Sequence, residues 1–363
     1  MKSQSTIVAI LALLLIQQPV WVHSKDQISP NIIKVPAFDL PESAFLSEES
    51  RNVIRMQRQE AKEASYPCPN LENASIKHVP TIRECQRNYF YTTPAYQRMI
   101  ERYDVDISTQ TIAGVYVEVF MPTAGIEARN KDKVLINLHG GAFKYGSRTS
   151  SRVESIPIAA TAKMKVISVD YRLGPEHQFP AASLDVTAVY QVLLKTYKPE
   201  NIGLYGCAGG GMLTAQSIAW FQKEKLPIPG AVGMFCMAAA EPRPKVDSMY
   251  INSAIMGIDG IAPFTVFEAY YGKKPNFNDP LLVPIRSDEV MSKFPTSLLI
   301  GSTREFHLSS IVHTHSTLVR LGVDADLHIW EGFGHIFFND PALPEAREVY
   351  RVIADFFNKH LGG

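Results

Sequence analysis

The segment Asn201–Thr214, NIGLYGCAGGGMLT, has the residues of a nucleophile-bearing turn but lacks the nucleophile. Its apolar run ends at Gly206, and three more glycines follow within five residues before the sequence becomes amphipathic. This pattern predicts a strand, a very tight turn and a helix. A serine in such a turn, with the spacing Gly-x-Ser-x-Gly, is exposed for attack on a carbonyl carbon. Here the same spacing holds Gly206, Ala208 and Gly210, so a methyl group stands at the position of the nucleophile.

A second glycine-rich segment, His139–Phe143 (HGGAF), directly follows the strand-like run Val134–Leu138. Glycines at the end of a strand let backbone N–H groups face a ligand without side-chain obstruction. Two such donors can hold the oxyanion of a tetrahedral acyl intermediate. We predict that Gly140 and Gly141 supply these donors. Gly209, at the start of the predicted helix, would supply the third, helped by the helix dipole.

An acid and a histidine follow two later strands. Glu305 comes after the run Ser297–Thr303, and His335 comes after the run Ala325–Trp330. The order of nucleophile position, acid and histidine is one that catalytic triads use. We predict that His335 is the general base and that Glu305 fixes its tautomer and stabilises the imidazolium. The role of His335 is predicted only because the two glycine-rich segments and Glu305 accompany it, since an isolated histidine carries little information.

The elements that must position these residues alternate from about residue 111 onward. Strand-like runs are Thr111–Phe120, Lys133–His139, Lys165–Arg172, Asn201–Gly206, Ala231–Cys236, Ser297–Thr303 and Ala325–Glu331. Helical patterns lie between them, such as Ala181–Tyr197, Gly211–Lys225 and Pro344–His360. Continuous apolar strands separated by helices predict an α/β fold, with a mostly parallel central sheet covered by helices on both faces.

Two stretches interrupt the alternation. Residues 25–110 are polar and interrupted by prolines. Residues 241–294 combine helical sequence patterns with prolines and glycines. We interpret them as a cap over the carboxyl ends of the strands, where open α/β sheets bind ligands. Residues 111–363 are then the catalytic domain, with the cap insertion at about 241–294.

The first 24 residues are typical of a secretory signal peptide. Lys2 precedes an apolar run from Ile7 to Ile16, and Val22-x-Ser24 offers small residues for cleavage. The run is too short to span a bilayer comfortably. We therefore expect a secreted or periplasmic protein with no stable membrane span after cleavage; a retained N-terminal anchor is the alternative.

The cysteines indicate which redox compartment suits the protein, and the charge balance indicates which classes of partner it lacks. Cys68 and Cys85 lie close together in the polar N-terminal region and are a plausible disulfide, whereas Cys207 and Cys236 end apolar runs and are expected to be buried thiols. Thirty-six basic residues balance thirty-six acidic ones, without a long run of either sign. Nothing in this balance suggests nucleic acid as a partner.

Taken in order, these segments resemble the hormone-sensitive-lipase group of carboxylesterases, of the α/β-hydrolase fold. The marks of that group are an HGGG-type oxyanion motif, a YRLAPEHPFPAA-like stretch, a GDSAGG elbow and a late histidine, and they match over roughly residues 110–360. The resemblance implies hydrolysis of small-molecule carboxylic esters with short or medium acyl chains, with no metal and no cofactor.

This sequence departs from the pattern of that group at three positions. Ala142 replaces a commoner glycine, and Glu305 replaces the usual aspartate. The third, Ala208, removes the serine, so an acyl-enzyme cannot form and we expect the chain to be nearly inactive. It is then either a serine-to-alanine variant of an active esterase or a non-catalytic relative that binds a small molecule. A thiol hydrolase that uses Cys207, one residue earlier, is a further alternative.

Overall fold

The computed structural model of the chain describes residues 37–71, 74–240, 246–255 and 265–362. The strands within these residues are β1 (Val105–Ile112), β2 (Val115–Pro122), β3 (Val134–Leu138), β4 (Val166–Val169), β5 (Ile202–Cys207), β6 (Ala231–Phe235), β7 (Thr296–Ser302) and β8 (Ala325–Trp330). They form one sheet in the order β1-β2-β4-β3-β5-β6-β7-β8. Strands β3 to β8 run parallel to one another, and β1 and β2 are antiparallel. The predicted α/β fold with a mostly parallel sheet is confirmed.

The antiparallel edge of the sheet is a hairpin that the sequence pattern did not predict. Ile112 pairs with Val115, so the turn is Ala113-Gly114. Both turn residues have positive φ, 51° and 81°, as a type I′ hairpin turn requires. The single strand predicted from Thr111 to Phe120 therefore crosses a turn. Strand β1 was not predicted because it is polar and mostly exposed. It pairs with β2 in the sheet, although most of it lies in residues that were predicted to form the cap.

Helices cover both faces of the sheet. They are α1 (Glu48–Glu63), α2 (Val79–Phe90), α3 (Pro94–Arg102), α4 (Ser150–Ala162), α5 (Ala181–Leu193), α6 (Gly209–Lys223), α7 (Asp247–Ile255), α8 (Thr265–Tyr271), α9 (Asp288–Met291), α10 (Leu308–Arg320) and α11 (Pro344–His360). Side chains of α5, α6 and α10 share one hydrophobic core, and those of α4 and α11 share the other. Strands β3, β5 and β6 are buried along their whole length, because both faces are covered.

The last helix follows its sequence pattern closely. Helix α11 has the bounds predicted from periodicity, Pro344–His360. Its apolar stripe packs on the core and includes Ala346, Val349, Tyr350, Ile353, Phe356 and Phe357, all of which are buried. An amphipathic helix with so regular a stripe needs no tertiary information to be placed.

The N-terminal helices are tied to the rest of the molecule at several points. Cys68 and Cys85 form a disulfide with Cα atoms 5.8 Å apart. The guanidinium of Arg98 on α3 bridges Glu60 of α1, at 2.7 Å, and Asp340, at 3.1 Å. The disulfide joins α2 to the segment that follows α1, and Arg98 joins α1 and α3 to the segment before α11.

A further contact joins α1 directly to α11, where the hydroxyl of Ser50 donates to Glu345 at 2.6 Å. Within residues 241–294, predicted as a cap insertion, Tyr270 of α8 accepts the N–H of Phe179 at 2.9 Å through its backbone oxygen. The ring of Tyr270 stacks on Phe143 with centroids 4.6 Å apart. Helix α8 is thereby held against the loop that follows β3.

The predicted signal peptide, residues 1–24, lies outside the described residues. Among the residues that are described, no helix has the length and apolar character needed to cross a membrane.

Candidate functional site

The turn between β5 and α6 has the strand-turn-helix form predicted from its glycines. Ala208 lies between the two elements with φ 53° and ψ −122°, a strained conformation for a residue with a side chain. A Cβ atom on Gly206 or Gly210 would overlap the carbonyl oxygen of Leu138 on the neighbouring strand. Both glycines are therefore required by the close approach of the two backbones. The turn presents the side chain of residue 208, and that side chain is a methyl group.

Glu305 and His335 are in direct contact. The Nδ1 atom of His335 lies 2.8 Å and 2.7 Å from the two carboxylate oxygens of Glu305. Glu305 is fully buried, and its Oε1 also accepts the backbone N–H of His307 at 3.0 Å. The carboxylate holds the Nδ1–H tautomer, which leaves Nε2 of His335 as a proton acceptor. The side chain of His335 keeps 15% of its surface exposed, so the ring is not sealed inside the core.

The sheet brings this pair to the same edge as the turn. Ala208 donates its N–H to the carbonyl of Phe235, the last residue of β6, at 2.8 Å. The next residue, Cys236, has its thiol within 4.8 Å of donor atoms of both Glu305 and His335. The nucleophile position, the acid and the histidine are thus neighbours through β6.

The oxyanion loop differs from the prediction at one residue. The N–H of Gly140 donates to Oε1 of Glu154 at 2.8 Å, so this group is engaged and the prediction that Gly140 is an oxyanion donor is wrong. Among the described residues, the N–H groups of Gly141 and Ala142 have no acceptor. A Cβ on Gly209 would lie 3.1 Å from the backbone nitrogen of Ala142. The free donors that converge here are therefore those of Gly141, Ala142 and Gly209.

Ala142 was missed because the sequence pattern marks glycines, whereas the donor is the third backbone N–H after His139. Its φ of 52° lies in the left-handed region, where a residue with a Cβ is strained. Phe143 has a similar φ of 59°. The loop is held in this form by the carbonyl of Gly141, which accepts the N–H groups of Lys144 and Tyr145 at 3.0 and 2.8 Å.

A buried polar network supports the oxyanion loop from below. Glu154 of α4 accepts the N–H of Gly140 and, at 3.0 Å, the side-chain amide of Asn137. Asn137 in turn accepts the hydroxyl of Ser168 at 2.7 Å. Burial raises the pKa of Glu154 to about 8, and the hydrogen bonds from Gly140 and Asn137 oppose that rise. Glu154 was not predicted, because nothing in the sequence of α4 distinguishes it from a surface glutamate.

The two free cysteines have the features of inert core thiols. Cys207 and Cys236 are buried and unoxidised, and burial raises the pKa of each thiol. The thiolate is the reactive form of cysteine, so this environment disfavours a thiol nucleophile at Cys207.

Cys236, Glu305 and His335 also form a group of three donors that could hold a metal ion. However, Nδ1 of His335 and the carboxylate of Glu305 already satisfy each other, and the buried thiol favours its protonated form. Metal ligands must be deprotonated, so the arrangement fits an acid–base pair better than a metal centre.

The site can therefore do two of the three things that acyl transfer through a triad needs. It offers backbone donors for a developing oxyanion and a base with a fixed tautomer. It lacks the hydroxyl that would form the acyl intermediate, because residue 208 is alanine.

Comparison with known proteins gives a family match and several relatives. The family model described as alpha/beta hydrolase fold matches residues 135–339. The carboxylesterase/phospholipase LipF of Mycobacterium tuberculosis is 29% identical over 231 residues, which are 62% of this chain and 61% of that protein. The esterase LipU of the same species is 27% identical over 241 residues, 63% of this chain and 79% of that protein. The match to LipF thus spans less than two thirds of its length.

Solved structures are similar over most of the chain. The crystal structure of the esterase E25 superposes with a TM-score of 0.73 at 29% identity, covering 91% of this chain and 99% of that one. An esterase from the bacterial hormone-sensitive lipase family gives a TM-score of 0.72 at 26% identity, covering 87% and 99%.

Proposed function

Because the chain belongs to the alpha/beta hydrolase fold family, we propose that its cleft binds carboxylic esters with short or medium acyl chains and hydrolyses them only slowly. The similarity to the hormone-sensitive-lipase group read from the motifs is confirmed by its relatives, which are esterases. The observation that carries the proposal is Ala208, placed at the strained turn beside an otherwise complete set of groups.

In this proposal the ester is bound as in an active esterase. Its carbonyl oxygen accepts the N–H groups of Gly141, Ala142 and Gly209, which are aimed at the charge that develops in the transition state. The methyl group of Ala208 has no electron pair to donate to the carbonyl carbon. A covalent acyl-enzyme is therefore excluded, and loss of a triad nucleophile costs on the order of a million-fold in kcat.

The remaining turnover uses water in place of the hydroxyl. His335 takes a proton from a water through Nε2 while the water oxygen attacks the carbonyl carbon, and the negative charge moves to the carbonyl oxygen. When the intermediate collapses, the bond to the alcohol oxygen breaks and His335 returns the proton to that oxygen. Oxyanion stabilisation and binding alone leave roughly a thousand-fold acceleration over water.

Hydrolysis of p-nitrophenyl acetate and butyrate by the chain and by Ala208→Ser tests the proposal. We expect the serine variant to gain several orders of magnitude in kcat, because only the hydroxyl is missing. The double variant Ala208→Ser with His335→Ala is the matched control and should lose that gain. If Ala208→Ser folds but stays at the level of the parent chain, the proposal is wrong.

A second candidate function is the binding of a small molecule without turnover. It is favoured by the same Ala208, since a site that only binds has no use for the hydroxyl. The activity of Ala208→Ser distinguishes the two candidate functions. A cleft that binds ligands while Ala208→Ser remains inactive supports the binding function.

We propose, in addition, that the protein is exported. The Cys68–Cys85 disulfide supports this location, because disulfides persist in oxidising compartments. Mass spectrometry of the protein from its natural source, with and without reduction, would locate both the bond and the mature N-terminus. Reduced cysteines and an intact residue 1 would contradict the proposal.

A further inference from the structure

A second imidazole lies beside the acid–base pair. The ring of His307 is 5.8 Å from the ring of His335, measured between centroids. It also packs against Phe306, at 4.4 Å, and faces Phe267 of α8, at 6.4 Å. Its backbone N–H is bonded to the Glu305 carboxylate. His307 therefore lies between Glu305 and helix α8.

This imidazole is buried, and no described residue is hydrogen-bonded to its ring. His307 keeps only 5% of its surface exposed. Within the described part of the chain, neither of its ring nitrogens makes a hydrogen bond. Nε2 of His139 is also unpartnered, but it is sealed inside the protein, whereas the nitrogens of His307 are not among the sealed atoms. The ring nitrogens of His307 are therefore not completely sealed from solvent, and the ring lies beside that of His335.

The charge state of the ring follows from its surroundings. Burial, and next the neighbouring charge of His335, hold the pKa of His307 well below its ordinary value. The ring is accordingly neutral at physiological pH. A neutral imidazole has one N–H donor and one acceptor nitrogen, which together match a hydroxyl group. A buried polar group without a partner costs free energy that a bound ligand can recover.

We infer that His307 selects esters that carry a hydroxyl group close to the ester linkage. This inference rests on the proposed function and names its substrate class. Because His307 and His335 are adjacent, a ligand held at His335 can reach His307 only with a group a few bonds from its carbonyl carbon. An ester with an alkyl group in that place leaves both nitrogens of the imidazole unsatisfied. Sites built to bond a hydroxyl discriminate against analogues that lack it.

Dissociation constants measured on the full chain by ligand-observed NMR titration test this inference, since slow hydrolysis keeps the esters intact. Two shape-matched pairs replace a methyl group by a hydroxyl. On the acyl side these are methyl 3-methylbutanoate and methyl 3-hydroxybutanoate. On the alcohol side they are propyl acetate and 2-hydroxyethyl acetate. We expect the hydroxylated member of one pair to bind roughly five- to tenfold more tightly, the effect of one hydrogen bond made in a buried site.

Two variants show whether His307 is the cause. His307→Leu keeps the volume but has no polar atom, and it should abolish the preference without lowering the midpoint of thermal unfolding, because no partner is left unsatisfied. His307→Gln keeps a donor and an acceptor and should retain part of the preference. A merely structural role would change all four affinities together.

The outcomes separate the two levels of the proposal. Equal binding within both pairs, or a preference that survives in His307→Leu, overturns the role of His307 while the proposed function stands. Failure of all four esters to bind overturns the proposed function, and the selection by His307 with it.

Discussion

Two buried carboxylates lie near Ala208, at the predicted nucleophile position, and their surroundings differ. Glu305 lies on the side of the histidine and accepts a hydrogen bond from Nδ1 of His335. Glu154 lies below the oxyanion loop, where its partners are the neutral N–H groups of Gly140 and Asn137. Both carboxylates are buried. Burial alone therefore does not distinguish the two carboxylates; a hydrogen bond to a partly exposed histidine does.

The two sides of residue 208 also differ in what holds their geometry. On the Glu154 side, the glycines of the turn are fixed by contacts between backbones, which are independent of the chemistry at residue 208. On the Glu305 side, the geometry serves the acid–base pair itself. Both sides are present around residue 208, whose side chain is a methyl group.

The largest expected difference between the two carboxylates is in catalysis, measured in the Ala208→Ser background. Glu305→Gln should lower kcat by about 10⁴-fold, because the amide no longer holds the imidazole in its productive tautomer or stabilises its charged form. Glu154→Gln should change kcat within about tenfold, because it acts only through the position of the loop. Steady-state hydrolysis of p-nitrophenyl butyrate checks both variants. Equal losses would remove the distinction drawn above.

The second difference is in the dependence of stability on pH. The pKa of Glu154 is raised from its ordinary value of 4.5 to about 8, so between these values the folded chain binds more protons than the unfolded chain. The free energy of unfolding should therefore fall as pH rises from about 4.5 to 8, by a few kcal/mol at most. Below about 4.5, both states are protonated and the contribution of Glu154 is constant.

Urea unfolding at a series of pH values measures this slope. Glu154→Gln is the matched control, since its amide does not titrate, and its curve should be flatter over the same range. A slope that persists unchanged in Glu154→Gln would assign the effect to other groups.

The smallest expected effect is at Ala142, above Glu154. Ala142→Gly relieves a positive φ of 52° but adds backbone entropy to the unfolded chain. The net change should be a stabilisation of up to about 1 kcal/mol. The N–H group of residue 142 is kept, so activity in the Ala208→Ser background should also be kept. A large loss of stability would mean that the methyl group of Ala142 packs in a way that its backbone geometry does not show.

The sequence was sufficient where local pattern decides the structure. The glycines around Ala208 and the stripe of α11 each predict their element without reference to the rest of the chain. The approach of Glu305 to His335 followed from the order of parallel strands. These features depend on short-range sterics or on the topology common to α/β sheets.

What escaped prediction depends on contacts between distant segments. The role of Gly140 changes because Glu154, fourteen residues later and on a helix, accepts its N–H. The hairpin of β1 and β2 was missed because an exposed edge strand needs no apolar alternation. His307 is a single histidine in an ordinary helical start, and only the tertiary structure places its ring beside His335.

The links between the two ends of the described chain bear on the order of folding. Ser50 meets Glu345 across 295 positions, and Arg98 meets Asp340 across 242. During synthesis α1 and α3 emerge early, but their partners are made almost last. Arg98 can pair with Glu60 early, but the contacts of α1 and α3 with Asp340 and Glu345 form only after the last segment of the chain has been synthesised.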